Sequence, residues 1–163
     1  MAENTKAIPR GENRVPLPSI DDFFSVKAEP SAFAGGTANS RGDEGGTSDP
    51  LTLFTATGDV LVGVFGVCTT DLASAGGGTV SVGVTDNVTL FIGATTATEI
   101  DENEVFLDTA PAIGEPIDGL NYYIVGNGED IVEATGTADV TAGQIYYIAL
   151  WRPLSPGSTV EAV

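Results

Sequence analysis

From residue 51 onward, apolar and polar residues alternate with a period of two, the spacing that puts every other side chain on one face of a β-strand. Val80, Val82 and Val84 alternate with Thr79, Ser81 and Gly83, and Val88, Leu90 and Ile92 alternate with Thr89 and Phe91. Two half-buried strands meeting at the tight turn Thr85, Asp86, Asn87 follow from this. Residues 59–68, DVLVGVFGVC, are apolar on both faces and rich in Val, which suits a central strand, and Gly63 and Gly66 mark a bulge or a close approach within it. NYYIV, GNGED and IVEAT read as strand, Gly-Asn-Gly turn and strand, the pattern of a hairpin. With LTLFTAT, EVFLD and QIYYIALWR, about eight strands fall between residues 51 and 163. Their spacing, broken by Gly, Asp and Asn turns, predicts an all-β domain: an antiparallel β-sandwich of jelly-roll-like type.

In the last of these strands, Ile145, Tyr147, Ala149 and Trp151 line one face, and Tyr146, Ile148 and Leu150 the other. Only one face can meet the domain's own core unless the strand is covered on both sides. Two readings stay open: a doubly covered central strand, or an oligomer interface that includes Tyr146, Ile148, Leu150 and Trp151, since Tyr and Trp offer large apolar area with a polar tip. The interface reading predicts self-association, as a trimer.

Residues 1–50 follow neither pattern. Pro9, Pro16, Pro18 and Pro30 space the segment, and the tract AFAGGTANSRGDEGGTSDP closes it. Because Pro fixes φ and biases its predecessor away from helix, residues 7–18 should be extended, and the Gly-rich tract should be a flexible linker. An arm over 1–50 and a sandwich over 51–163 are therefore expected. Within the arm, Ser19 suits an N-cap, and Ile20, Phe23, Phe24 and Lys27 fall at helical spacing, so a short amphipathic helix is expected near 19–27. Such a helix is too short to stand alone in water and needs a surface, either this chain's own body or another subunit. In the second case Ile20, Phe23 and Phe24 are the anchors, and Lys6, Arg10 and Arg14 meet acidic groups on the partner.

Composition narrows the chemistry. The chain has 163 residues, 42% of them apolar, with a mean hydropathy of +0.14, enough for one folded domain with an appendage. Histidine is absent and Cys68 is the single cysteine, which removes Ser-His and Cys-His nucleophiles, thiolate zinc sites and intrachain disulfides. No catalytic residue and no cofactor is assigned from the sequence. With 23 acidic residues against 6 basic ones and a formal net charge of -17, neither nucleic-acid phosphates nor an anionic membrane is an expected partner. There is no run of about 18 apolar residues, no secretory h-region at the amino terminus and no lipidation signal, so no export is expected. Acid excess with almost no Lys also resembles proteins of salt-in halophiles, whose self-repulsion is screened by molar salt; a merely acidic mesophilic protein reads the same way.

Four features carry candidate chemistry, each with a simpler reading beside it. Arg41, Gly42 and Asp43 match the integrin-binding tripeptide, but three-residue matches recur by chance in Gly-rich tracts. EIDENEVFLD supplies Glu99, Asp101, Glu102, Asn103, Glu104 and Asp108 as oxygen ligands for a hard cation, yet it lacks the glycine and glutamate that close an EF-hand, and a solvated acidic loop is the simpler reading. Paired carboxylates for glycoside hydrolysis require a separation that sequence does not show. Gly76, Gly77 and Gly78 are followed by no Gly-Lys-Ser/Thr, so they are not a phosphate loop.

GDVLVGVFGVCTT, TTATEID and GTADVTAGQIYYIALWRPLS, within residues 55–156, resemble small β-rich virion proteins encoded among the head genes of tailed viruses of bacteria and archaea. The resemblance implies a non-enzymatic structural protein on the capsid surface, made in the host cytoplasm. It would act as decoration, cement or turret, with the major capsid protein and copies of itself as partners. The arm has no counterpart in that resemblance. A carbohydrate-binding or adhesin-type sandwich, using Tyr122, Tyr123 and Trp151 as a sugar platform, is the alternative.

Overall fold

The computed structural model describes residues 23–126 and 128–163. Among the described residues, ten strands build two antiparallel sheets that face each other. They are β1 (Phe24–Ala28), β2 (Leu51–Thr57), β3 (Val60–Ala73), β4 (Thr79–Val84), β5 (Asn87–Thr96), β6 (Val105–Phe106), β7 (Tyr123–Val125), β8 (Asp130–Gly136), β9 (Ala142–Pro153) and β10 (Thr159–Ala162). One sheet, here the β9 sheet, runs β1-β9-β3-β6, with β7 also paired to β3; the other, the β8 sheet, runs β10-β2-β8-β4-β5. The fold is therefore an all-β sandwich, with ten strands where about eight were expected. The additional two, β1 and β10, are edge strands of five and four residues.

Register explains the two-faced strands. Residues paired across an antiparallel ladder share a face. Val62, Val64 and Cys68 of β3 pair with Trp151, Ala149 and Ile145 of β9 on the inner face, and all of these except Trp151 are buried. Leu61, Phe65 and Val67 pair with Arg152, Ile148 and Tyr146 on the outer face, where each is only half-buried.

Three expectations are corrected. Residues 24–28 form β1 rather than the end of a helix: Phe24 pairs with Trp151 and Ala28 with Tyr147, because the β9 edge offers a ladder that a single helical turn cannot match. Residues 19–22 lie outside the described residues. The tract 32–50 is no loose linker. Phe33 donates its N–H to Gly143 (3.0 Å), Gly35 to Val140 (2.9 Å) and Val140 to Gly42 (2.9 Å), and the Phe33 ring is buried. Finally, the Gly-Asn-Gly turn does not join a hairpin: β7 pairs with β3 in one sheet, and β8 lies between β2 and β4 in the other. A short Gly turn permits a crossing between sheets as readily as a return within one, so the turn signal fixes its tightness and not its partner.

Candidate functional site

The most constrained polar site is inside the sandwich. Glu133 stands on the inner face of β8, its register partners being Leu51 of β2 and Val82 of β4, and it is 2% exposed. Across the sandwich, Arg41 donates from Nε to Glu133 Oε1 (2.8 Å) and from Nη2 to Oε2 (2.6 Å), a bidentate fork. Tyr147 of β9 donates its hydroxyl to Glu133 Oε2 at 2.5 Å. The remaining Arg41 donors reach the carbonyls of Ser31 (2.6 Å) and Ile145 (3.3 Å), and the guanidinium lies 3.9 Å from the Phe33 ring centroid. Burial disfavours the charge on Arg41, but the Glu133 carboxylate and its hydrogen bonds outweigh that and hold the guanidinium above its ordinary pKa. Burial, reinforced by the Glu133 charge, holds the Tyr147 phenol well above its own. Gly66 makes the arrangement possible, since a Cβ there would stand 2.7 Å from Ile145 Cγ2 and 3.0 Å from the Tyr147 ring. Sequence reading missed this network because its three members lie on a Gly-rich loop and two separate strands. The same geometry answers the Arg-Gly-Asp motif: Arg41 is 4% exposed and committed to Glu133, so the tripeptide is not presented to a receptor.

The acidic run serves its own turns. Glu104 accepts the Asp101 N–H (2.9 Å), Asp71 that of Glu102 (2.6 Å) and Asp108 that of Ala110 (2.7 Å). Among the described residues no three or more Asp, Glu, Cys or His side chains gather as metal ligands. Cys68 is buried beneath this loop, with Sγ 3.2 Å from the Thr70 carbonyl oxygen; burial pushes its thiol up to about 11.

The outer face of the β9 sheet carries a contiguous run of partly exposed apolar side chains. It combines Leu61, Phe65 and Val67 of β3, Tyr146, Ile148 and Leu150 of β9, and Val105 of β6, all half-buried, with Ile124 of β7 at 71% exposure. Loop 107–122 covers one end: a Cβ on Gly63 would stand 3.0 Å from Leu120 and from the Asn121 carbonyl. At the other end lies a shallow groove of about 390 Å³ lined by Lys27, Glu29, Pro30, Thr69, Gln144 and Tyr146. There Lys27 pairs with Glu29 and sits 3.9 Å over the Tyr146 ring.

The expected site residues divide accordingly. Tyr146, Ile148 and Leu150 share the outer face, whereas Trp151 belongs to the opposite face, partly covered by Phe24. Phe23 meets Tyr122 (centroids 4.9 Å apart) and Phe24 meets Trp151 (5.1 Å), so both first pack on their own chain, though Phe24 stays 57% exposed. Ile20, Lys6, Arg10 and Arg14 lie outside the described residues. Tyr123 is held edge-on by Phe91 (5.5 Å), so each of the three aromatics of the expected sugar platform is engaged by another ring.

A scan against protein-family models, a search of curated proteins and a search of solved structures each returned no match.

Proposed function

We propose that the chain is a non-enzymatic virion structural protein of a tailed virus. It decorates or cements the capsid by binding the major capsid lattice through its arm and its sandwich, and it associates with copies of itself, as a trimer. The observation that carries this reading is the outer face of the β9 sheet. A run of half-buried Leu61, Phe65, Val67, Tyr146 and Ile148 on a chain of net charge -17 is an area that gains from being covered. The first described residue, Phe23, packs on Tyr122 of the loop that covers one end of that face. A small sandwich with one apolar face and a long strap can hold two neighbours at once, each attachment raising the effective concentration of the other. The sugar-platform alternative gains less support, because a stacking site needs an open ring face and Trp151, Tyr122 and Tyr123 are each occupied.

The test is binding to purified capsids of the cognate virus by the full chain, by a chain lacking residues 1–22, and by Ile148→Asp, with light scattering of the free protein alongside. Loss of lattice binding in both altered forms and a trimeric mass for the parent are expected. Undiminished binding by both would overturn the proposal.

A further inference from the structure

We propose that Asn87 is an acceptor for N-linked glycosylation, taking a sugar from a glycosyl diphosphate donor on the folded chain. Asn87, Val88 and Thr89 form an Asn-X-Thr sequence in which X is not proline, and none of the six other asparagines has Ser or Thr two residues on. A three-residue match recurs by chance, so the case rests on how the fold presents it. Asn87 opens β5 directly after Thr85 and Asp86, and the side chains of Thr85, Asp86, Asn87 and Thr89 are all exposed. The Thr89 hydroxyl donates to Asn87 Oδ1 (3.1 Å), and the Thr89 N–H lies 3.4 Å from the same oxygen. The threonine that the motif requires therefore already holds the carboxamide by its oxygen, which leaves Nδ2 as the atom open to chemistry. The Arg-Gly-Asp tripeptide gives the opposite result, its Arg41 being buried and committed to Glu133.

The main chain of the motif is open as well. β5 is an edge strand of the β8 sheet, and its register with β4 steps from Val84–Asn87 to Val82–Ile92, so residues 88–91 bulge out of the ladder. Gly83 permits this, since a Cβ there would collide with the Asn87 carbonyl and the Val88 backbone. A transferase closing on residues 87–89 meets neither a further strand on one side nor a regular ladder on the other. In the transfer, Nδ2 attacks the anomeric carbon of the donor and the bond from that carbon to the diphosphate oxygen breaks. The diphosphate leaves with the bonding pair, and a base of the transferase takes the Nδ2 proton. The Thr89 hydroxyl at Oδ1 stabilises the negative charge that gathers there as the proton departs. Asn87 belongs to the sheet opposite the outer face of the β9 sheet, so a glycan there leaves that face clear, and the inference does not depend on lattice binding.

The test is the intact mass and electron-transfer fragmentation of the full chain purified from the cells in which it is naturally made. Hexose increments on the peptide carrying Asn87 are expected. They should be lost in Asn87→Gln and in Thr89→Val made in the same cells, and kept in Thr89→Ser, with all three thermal midpoints equal to the parent's because the substitutions lie at an exposed tip. Two donor forms share the glycosyl diphosphate chemistry, and cell-free transfer separates them. Unmodified full chain is incubated with radiolabelled UDP-glucose and either the cytosolic or the membrane fraction of those cells. Label acquired with cytosol marks the nucleotide sugar as the immediate donor, and label acquired with membranes alone marks a lipid-linked sugar. An unmodified Asn87 in the natural protein, sugar at another residue instead, an increment that survives in Thr89→Val, or label from neither fraction would each overturn the proposal.

Discussion

At the scale of single residues, the cost of a buried charge decides what can be changed. Arg41 and Glu133 are both 2% exposed at the side chain, and an ion pair so placed gains little net stability over an apolar pair of the same shape, but losing one partner strands the other. Arg41→Met is expected to cost about 3–5 kcal/mol in chemical denaturation, and Arg41→Met with Glu133→Leu to recover most of it. A single substitution costing less than about 1 kcal/mol would show that water reaches Glu133. Cys68 and Tyr147 give the pH dependence. Both have folded-state pKa values above their ordinary ones, so both favour the folded state fully at neutral pH, and that contribution is lost as pH rises. For Cys68 the window runs from its ordinary 9.0 to about 11. Denaturation midpoints should fall between those two values, and Cys68→Ala should flatten the decline; a flat profile in the parent would refute the burial argument.

Among elements, β1 and the tract 32–50 belong to the sandwich. Truncation distinguishes this from an independent arm. Removing residues 1–22 should leave the thermal midpoint of the isolated domain nearly unchanged, whereas removing residues 1–50 takes away β1, the buried Phe33 ring and the Arg41 partner of Glu133, and should leave no cooperative transition. A cooperative melt of residues 51–163 would restore the boundary at residue 50. The alternation of Val80, Val82 and Val84 and the double-faced pattern of residues 59–68 and 145–151 were legible because strand periodicity is local. Which strands pair was not: β8 sits between β2 and β4, some 80 and 50 residues upstream. A jelly-roll-like order was expected, and the observed orders are β10-β2-β8-β4-β5 and β1-β9-β3-β6. Residues 24–28 misled because Phe23, Phe24 and Lys27 fit a helical stripe and an edge strand equally over so short a span. The tract 32–50 misled because it is held by the buried Phe33 and Arg41 and by backbone bonds of Gly35 and Gly42 to Val140, none of which a Gly-rich composition reveals. The outer face of the β9 sheet was legible in part: Tyr146, Ile148 and Leu150 were visible as a surplus, but Phe65, Val67 and Ile124 join them only through register.

For the whole molecule, the dominant long-range force is the repulsion among its own carboxylates. The caps formed by Asp71, Glu104 and Asp108 hold backbone N–H groups, but among the described residues no base pairs with these carboxylates. Each such charge then feels the others over the Debye length, which is about 3 Å at 1 M salt and about 10 Å at 0.1 M. Acids separated by distances between those two lengths repel one another at 0.1 M and hardly at 1 M, so compaction of the acidic body costs more free energy as salt is removed, while the buried Arg41–Glu133 pair is hardly touched. The thermal midpoint should therefore rise between 0.1 M and 1 M sodium chloride, and it should rise nearly as much in Arg41→Met with Glu133→Leu as in the parent, because the effect belongs to the surface. Sulfate at equal ionic strength should add a further increment through exclusion from apolar surface, so chloride is the cleaner probe of charge. A midpoint indifferent to chloride would mean that the acids are spaced widely enough to ignore one another.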